Sequence, residues 1–287
     1  MTRMSLHAAA LLAAVLVALG GCQHSDAPQA SPPPDDNLNA VLWTQRAIEA
    51  KGNAQGAYAL ATIRLDEALA DRSRTAAPAE QTGNFERLPP AIVLDVDETV
   101  LDTMLYQAWT VREGQSFSPG TWTKFVNTET SKAVPGAVAF TNYADKKGVK
   151  VFYVTNRTKE EEPATRANMT ALGFPMGGNV DTILTVKEEP DWGSAKSTRR
   201  AVIAKDYRIL LLVGDNLGDF TDDYKGDDAA RLKVYDDNAE HWGRDWIVIA
   251  NPTYGSFESA PFNHDFKLSP EARRAAKENA LEAWPGP

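Results

Sequence analysis

Three short apolar runs constrain the fold of this chain more than any other feature of its sequence. They occupy residues 91–94, 149–154 and 208–213, and their length and apolar character are typical of buried strands. Residues 181–186 and 246–250 are two further strand candidates. Helical patterns separate the runs, and strands that alternate with helices are typical of a parallel sheet covered on both faces. The sequence therefore predicts an α/β fold.

Helical segments are predicted before and between these strands. Residues 38 to about 72 are rich in Ala, Leu, Glu and Gln at helical spacing, which predicts one long helix or a helical pair. A loop-like stretch over residues 71–88 leads to the first strand. Further helices are predicted near residues 122–130, 136–147, 159–172 and 194–205. Together these elements predict one folded domain over residues 38–287.

The N-terminal region reads as an export signal rather than as part of the fold. Arg3 precedes an uncharged stretch dominated by Ala, Leu and Val, which ends in the tetrapeptide LGGC at Cys22. An uncleaved anchor helix is the alternative, but the apolar stretch is short for a membrane span. The tetrapeptide resembles a bacterial lipoprotein processing box, so residues 1–21 are predicted to be a signal peptide and Cys22 to carry the lipid. Gln23 rather than Asp follows the cysteine, which in a Gram-negative host favours the outer membrane.

Composition limits both the partners and the means of stabilisation. Residues 22–37 are rich in proline and predict an extended tether between membrane and domain. Cys22 is the only cysteine, so no intrachain disulfide can form. The formal net charge of −9 offers no footprint for a nucleic-acid polymer. A small anionic substrate remains compatible with this charge if a metal ion or a few placed cations neutralise it locally.

Polar residues follow each of the three main strands directly. They are DVDET at residues 95–99, TNR at 155–157 and GDNLGD at 214–219. Ligands of parallel α/β sheets bind outside the carboxyl ends of the strands, so these three sets should converge at one edge. Carboxylates gathered there would repel one another unless a hard cation holds them, and oxygen ligands of this kind suit Mg²⁺.

Competing interpretations of these motifs fail at particular positions of the sequence. An EF-hand loop that began at Asp95 would need Gly and Glu where the chain has Val100 and Tyr106. A P-loop at Lys196 would need Gly directly before the lysine, where the chain has Ala195. Acidic capping of strand-to-helix turns explains any one motif alone, but it does not explain four motifs together.

The four motifs in this order resemble those of the haloacid dehalogenase (HAD) superfamily. Within it, DVDETVLDT, VTNR, KSTRR, GDNLGDF and NPxYG resemble the class C acid phosphatases, bacterial lipoprotein phosphatases active on 5′-nucleotides. The resemblance covers about residues 38–260 and implies a HAD-like, Rossmann-like parallel sheet with helices on both faces. About fifty residues separate the first two motifs, which leaves little room for a large cap. A small helical lid from the N- and C-terminal segments is expected instead.

The resemblance assigns the chemistry to carboxylates of the first motif. It implies that Asp95 is the nucleophile, which forms an aspartyl phosphate, and that Asp97 is the general acid and base. An Asp at position 97 predicts phosphate ester hydrolysis, because dehalogenase and phosphonate-cleaving relatives generally lack an acid there. The implied ligands of Mg²⁺ are Asp95, the backbone carbonyl of Asp97, and Asp215. Asp219 is expected to hold a metal-bound water or to orient Lys196.

Other residues are expected to bind the substrate. Thr155 and the Asn156 backbone would donate hydrogen bonds to the phosphoryl oxygens, and Lys196 would supply a fixed positive charge. Trp122 and Tyr254 lie in segments that, in the resembling family, present aromatic faces to a base or ring. Core packing is the alternative for each of these aromatics taken singly.

The sequence therefore predicts an exported, lipid-anchored acid phosphatase, a 5′-nucleotidase that acts on small phosphomonoesters. The alternative is a lipoprotein that keeps the HAD scaffold for ligand binding or adhesion without turnover, which four intact motifs disfavour. His241 and His264 are interpreted as surface or satisfied histidines, and the pair Arg199-Arg200 as an isolated basic pair.

Overall fold

A five-stranded parallel sheet forms the centre of the fold in a computed structural model, which describes residues 36–286. The predicted signal peptide, Cys22 and the tether up to residue 35 lie outside the described residues. The strands are β1 Pro90–Leu94, β2 Leu101–Asp102, β3 Lys132–Ala133, β4 Lys150–Thr158, β5 Ile183–Val186, β6 Arg208–Gly214 and β7 Trp246–Val248. The sheet has the order β5-β4-β1-β6-β7, and β2 pairs with β3 in a small antiparallel ribbon. This order confirms the predicted α/β fold.

Helices connect the strands and cover both faces of the sheet. They are α1 Leu38–Arg46, α2 Ile48–Ala70, α3 Met104–Glu113, α4 Pro119–Val126, α5 Ala137–Lys146, α6 Glu162–Ala171, α7 Ser197–Asp206, α8 Asp228–Asp237, α9 Ser256–Ser259 and α10 Pro270–Asn279. Short 3-10 turns span Lys159–Glu161, Leu217–Asp219 and Ala260–Phe262.

Alternate residues of the central strand β1 build two cores. Ile92 and Leu94 face a cluster that includes side chains of α2 and α5. Ala91 and Val93 face a second cluster that includes Ile203 of α7. Because β1 is buried on both faces, it reads as a continuous apolar run rather than as an alternating one. The two cores fix the carboxyl end of β1, from which the first motif projects.

The N-terminal helical segment is a pair of helices rather than one. Ala47 has an extended backbone conformation and separates α1 from α2. Helix α1 packs against α3, where the Nε2 atom of Gln45 donates a hydrogen bond to the carbonyl oxygen of Met104 at 3.0 Å. The paired alternative in the sequence prediction is therefore confirmed.

The segment between β1 and β4 contains more structure than the sequence patterns indicate. Helix α4 begins at Pro119, after the N-cap Ser118, and it ends at Val126 rather than near residue 130. Helix α3 precedes it and was not predicted, because its buried side chains are few and do not form a clear apolar stripe. The helices α3 and α4 therefore join α1 on one side of the first motif.

The two ends of the described chain meet at the surface. Arg274 of α10 contacts the carboxylate of Asp36, which directly precedes α1. The Nζ atom of Lys277 lies 3.1 Å from the carboxylate of Glu258 in α9. The contact between Arg274 and Asp36 joins the two terminal segments, from which a small helical lid is expected. Between residues 36 and 286, no helix has the length and apolar character needed to cross a bilayer.

Candidate active site

The first motif begins where β1 ends, between its two neighbouring strands. The backbone N–H of Asp95 donates to the carbonyl oxygen of Val213 at 2.9 Å, which fixes Asp95 beside β6. Its carboxylate contacts the ammonium of Lys196. Burial raises the pKa of Asp95 to about 6, and Lys196 opposes this rise while Asp219 and Asp97 add to it.

Three carboxylates lie together at this edge of the sheet. Oxygen atoms of Asp95, Asp215 and Asp219 are all within 4.8 Å of one another. Asp215 accepts hydrogen bonds from Thr99 Oγ1 at 3.2 Å and from Asn251 Nδ2 at 2.8 Å. Burial and the nearby charges of Asp219 and Asp95 raise the pKa of Asp215 well above its ordinary range. The predicted convergence of the first and last motifs is what the structure shows.

Asp219 approaches this group because of a glycine. A Cβ atom at Gly214 would lie 2.3 Å from a carboxylate oxygen of Asp219, so no side chain fits there while Asp219 keeps its place. The backbone N–H of Asn216 donates to the Asp219 carboxylate at 2.9 Å. The Nζ atom of Lys196 lies 2.7 Å from the other carboxylate oxygen of Asp219. Asp219 is therefore in direct contact with Lys196.

The donor set fits a divalent cation. The carboxylates of Asp95, Asp215 and Asp219 lie close together, and the ammonium of Lys196 contacts those of Asp95 and Asp219. Carboxylate oxygens are the ligands that hard divalent ions such as Mg²⁺ prefer. The side chain of Asp97 turns instead to Arg157.

Two arginines that follow Lys196 bind the segments around it. Arg199 and Arg200 are almost fully buried, so their interpretation as an isolated basic pair is wrong. Arg199 contacts the carbonyl oxygen of Thr155, at the end of β4. Arg200 donates to the carbonyl oxygen of Asp219 at 3.0 Å. Arg199 and Arg200 follow Lys196 by three and four residues, and residues at these spacings lie on the same face of a helix. This spacing was the sequence signal for their position beside Lys196.

The second motif contributes a buried threonine and an exposed asparagine. Thr155 is fully buried, and its Oγ1 accepts from the N–H of Arg157 at 3.1 Å. The side chain of Asn156 donates to the carbonyl oxygen of Ser194 at 3.2 Å and accepts from Arg199 at 2.8 Å. These two contacts occupy the side-chain amide of Asn156.

Asp97 lies beside a buried arginine, Arg157, to which the sequence analysis of the TNR motif assigned no role. Nη2 of Arg157 is 2.7 Å from Oδ1 of Asp97, and Nε of Arg157 is 3.1 and 3.2 Å from the two carboxylate oxygens. The guanidinium carbon lies 5.5 Å from the centre of the Trp122 ring. Trp122 is half-buried, with its ring edge-on to Tyr106 at 5.1 Å. Trp122 is thus near the first motif, through Arg157.

Tyr254 reaches the first motif through Glu98. Its hydroxyl donates to the buried carboxylate of Glu98, which also accepts from the N–H of Thr103 at 2.9 Å. Glu98 has a left-handed backbone conformation with φ of 57°, which is uncommon for a residue with a side chain. Burial and the charge of Asp97 raise the pKa of Glu98. Each predicted stacking residue therefore contacts a side chain that lies at or beside Asp97.

Both histidines are satisfied, as interpreted. The Nδ1 atom of His241 lies 2.6 Å from a carboxylate oxygen of the buried Asp245. The Nδ1 atom of His264 lies 2.7 Å from Ser259 Oγ, and its Nε2 atom accepts from the N–H of Gly226 at 3.2 Å. Neither ring belongs to the carboxylate group at the strand ends.

Comparison with known proteins agrees with this fold. Residues 36–257 match the family model of the HAD superfamily, subfamily IIIB (acid phosphatase). This match spans most of the chain, so the protein belongs to the HAD superfamily. Within that superfamily it is a member of the acid phosphatase subfamily IIIB, a group of phosphomonoesterases.

Solved structures of class C acid phosphatase from Bacillus anthracis are similar to the whole domain. One has a TM-score of 0.76 and 32% sequence identity, covering 86% of this chain and 97% of that chain. Another, with tungstate bound, has a TM-score of 0.77 and 30% identity, covering 88% of this chain and 100% of that one. These similarities confirm the resemblance drawn from the motifs and the HAD-like fold.

Curated relatives match over a shorter stretch. The stem 28 kDa and stem 31 kDa glycoproteins of Glycine max are each 24% identical over 139 residues, which is 47% of this chain. The chain spans about half the length of these relatives, at 54% and 47% respectively.

Proposed function

We propose that this protein is an Mg²⁺-dependent acid phosphatase that hydrolyses nucleoside 5′-monophosphates through an aspartyl-phosphate intermediate. We further propose that a lipid on Cys22 anchors it in the cell envelope, as an outer-membrane lipoprotein if the host is Gram-negative. The observation that carries the catalytic proposal is the group of Asp95, Asp215 and Asp219 at the strand ends, in which Asp95 and Asp219 contact the ammonium of Lys196.

Nucleophilic attack is assigned to Asp95. In the first step its carboxylate oxygen bonds to phosphorus, the bond from phosphorus to the ester oxygen breaks, and Asp97 protonates the departing alkoxide. In the second step Asp97 takes a proton from water, whose oxygen attacks the aspartyl phosphate and releases inorganic phosphate. Both carboxylates return to their starting states.

Binding and neutralisation of the phosphoryl group are assigned to residues around Asp95. Asp95, the Asp97 carbonyl and Asp215 would hold Mg²⁺, which when bound offsets repulsion between Asp95 and the dianionic substrate. Thr155 and the Asn156 backbone would donate to the phosphoryl oxygens. Lys196 would supply a fixed charge, since Asp95 and Asp219 already hold its ammonium in place.

A relative supports oxyanion binding at such a site. The Bacillus anthracis enzyme, which shares the fold, has been solved with tungstate bound. Tungstate is a tetrahedral oxyanion with the shape of phosphate. We infer that the corresponding edge of this sheet binds the phosphoryl group of the substrate.

Preference for nucleotides rests on Trp122 and Tyr254. Both lie near the first motif, through Arg157 and Glu98. An aromatic ring beside the site gives a base a surface on which to stack, and such stacking tolerates different bases. A small phosphomonoester with a ring, and above all a nucleoside monophosphate, is therefore the proposed substrate.

Phosphate release tests the catalytic proposal. Purified protein is incubated with a chromogenic aryl phosphate and with nucleoside monophosphates, each with Mg²⁺, with EDTA, and with EDTA followed by excess Mg²⁺. We expect turnover that EDTA abolishes and Mg²⁺ restores. Binding of nucleotides without any phosphate release would instead identify a non-catalytic ligand-binding lipoprotein.

Membrane association tests the anchor. Cys22→Ser is expressed in a Gram-negative host beside the unchanged protein, with labelled fatty acid present. We expect the unchanged protein to carry label and to sediment with outer membranes, whereas Cys22→Ser loses both properties and keeps its phosphatase activity. Recovery of the unchanged protein unlabelled in the soluble fraction would contradict the anchor without bearing on the activity.

A further inference from the structure

Arg157 makes more contacts with Asp97 than an ion pair alone requires. Nη2 and Nε of its guanidinium donate to Oδ1 of Asp97 at 2.7 and 3.1 Å, while Oδ2 accepts only from Nε, at 3.2 Å. The arginine side chain is 1% exposed and the Asp97 side chain 17%. The contact is therefore asymmetric, and Oδ2 is the less engaged of the two carboxylate oxygens.

Arg157 is itself fixed from other directions. Its Nη1 donates to Thr165 Oγ1 of α6 at 3.0 Å, and its backbone N–H donates to Thr155 Oγ1 at 3.1 Å. The Trp122 ring of α4 lies 5.5 Å from the guanidinium carbon, within the range of a cation–π interaction. Because side chains of α4 and α6 both contact the guanidinium, its planar fork can hold a carboxylate in one orientation.

We propose that Arg157 is a positioning residue: its fork holds Oδ1 of Asp97 and leaves Oδ2 as the oxygen that exchanges the proton with the leaving group. This inference rests on the proposed function, in which Asp97 protonates the ester oxygen. The proton passes from Oδ2 to that oxygen as the bond from phosphorus to oxygen breaks, so a rotated carboxylate would present the proton in the wrong direction. If Arg157 positions the acid, the loss of rate on replacing it should depend on the leaving group. If Arg157 is purely structural, the loss should be the same for every leaving group.

The dependence on the leaving group is therefore the readout. Glycerol phosphate releases a strongly basic alkoxide that needs the proton, whereas p-nitrophenyl phosphate releases a weakly basic phenolate that hardly needs it. The ratio kcat/KM reports events up to the release of the leaving group, so later hydrolysis of the aspartyl phosphate does not enter it. The protein is assayed as the full chain with saturating Mg²⁺.

Two substitutions of Arg157 separate charge from geometry. Arg157→Gln should lower kcat/KM for glycerol phosphate by roughly 10- to 100-fold, part of the 10²- to 10⁴-fold that general acids typically contribute. It should change kcat/KM for p-nitrophenyl phosphate by less than about threefold, because little proton transfer is needed there. Arg157→Lys keeps the charge but lacks the fork, so the same selective loss is expected.

A milder variant guards against a failure to fold. Thr165→Val removes the hydroxyl that accepts from Nη1 of Arg157 and leaves the guanidinium in place. It should lower kcat/KM for glycerol phosphate selectively, by a smaller factor than Arg157→Gln. Arg166→Gln is the matched control, since Arg166 is on the same helix but pairs with Glu162 and Asp181 at the surface; both substrates should be hydrolysed as before.

The proposal would be overturned if Arg157→Gln and Thr165→Val lowered kcat/KM equally for both substrates. It would also be overturned if neither variant lowered kcat/KM for glycerol phosphate. Asp97→Asn, measured in parallel, distinguishes this failure from failure of the proposed function. If Asp97→Asn lowers kcat/KM for glycerol phosphate and the Arg157 variants do not, the positioning role is wrong and the acid assignment stands. If Asp97→Asn leaves kcat/KM unchanged, both fall together.

Discussion

Two groups of three carboxylates occur in the described part of the chain, and they have different surroundings. One is Asp95, Asp215 and Asp219, at the carboxyl ends of β1 and β6; the other is Glu162, Asp181 and Glu188, beside α6. Both satisfy the same geometric criterion for metal ligands. Spacing of carboxylates alone therefore does not identify a site.

Burial and pairing separate the two groups. In the surface group, Arg166 lies 2.6 Å from Glu162 and 2.8 Å from Asp181, and Asp181 is half exposed. Burial raises the pKa of Glu188 in the surface group, but in the strand-end group it raises the pKa of Asp95 to about 6 and that of Asp215 well above its ordinary range. Solvent and an arginine thus screen the surface group, whereas the buried group needs a cation to hold its charges together. The variants below test this difference.

The largest expected effect follows from replacing the proposed nucleophile. Asp95→Asn should lower kcat by about 10³-fold or more for every phosphomonoester, because an amide does not attack phosphorus as a carboxylate does. The measurement is phosphate release under saturating substrate and Mg²⁺. Asp181→Asn makes the same chemical change in the surface group and should leave kcat unaltered. A tenth of the normal rate in Asp95→Asn would remove the nucleophile assignment.

Loss of a proposed metal ligand should have the next largest effect. Asp215→Asn should raise the Mg²⁺ concentration needed for half-maximal activity by about 10-fold or more, since one charged ligand of the cation is lost. Thermal melting gives a second readout: Mg²⁺ should raise the melting temperature of the unchanged protein but not that of Asp215→Asn. Glu188→Gln, in the surface group, should respond to Mg²⁺ like the unchanged protein. An identical Mg²⁺ requirement in Asp215→Asn would place the ion elsewhere.

A smaller effect is expected from the aromatic side chains beside the buried group. Trp122→Ala should reduce kcat/KM for a nucleoside monophosphate by about 5- to 100-fold more than for glycerol phosphate, because a stacking contact of roughly 1–3 kcal/mol exists only with a ring. The same excess is expected for Tyr254→Ala. The loss seen with glycerol phosphate measures any disturbance of Arg157 or Glu98, so the difference isolates stacking. Equal losses for the two substrates would make both aromatics structural.

The smallest effect belongs to the ion pairs of the surface group. Arg166→Gln should lower the free energy of unfolding by only about 0–1 kcal/mol, the usual range for exposed ion pairs. Urea denaturation measures this change, and high salt should reduce the difference between the two proteins. A decrease of several kcal/mol in the free energy of unfolding would mean that the charges of the surface group depend on their partners as strongly as those of the buried group.

Much of the sheet was predictable from the sequence, for a physical reason. The strands β1, β4 and β6 are buried on both faces, so they appear as uninterrupted apolar runs, and polar residues begin where each run ends. The same rule predicted that Asp95 and Asp215 would meet. Three helices bury few or no side chains: α3, α8 and α10. They therefore have no apolar pattern from which the sequence could predict them.

The residues that support the site were harder to predict. Arg157 and Arg199 are buried charges whose partners lie 60 and about 40 residues away in the chain. A charged residue is exposed unless a partner accompanies it into the interior, and no local pattern reveals a distant partner. Glu98 was missed for the same reason: its contact with Tyr254 spans 156 residues.

The contact between Gly214 and Asp219 also bears on how this enzyme can vary. A single methyl group at position 214 would occupy the space of the Asp219 carboxylate. The substitution Gly214→Ala would therefore displace Asp219, although every catalytic and metal-binding residue would still be present in the sequence. A variant of this kind would pass any inspection of the motifs for their acidic and basic residues. Loss of function in this family can therefore result from a steric change at a glycine, with all the catalytic and metal-binding residues retained.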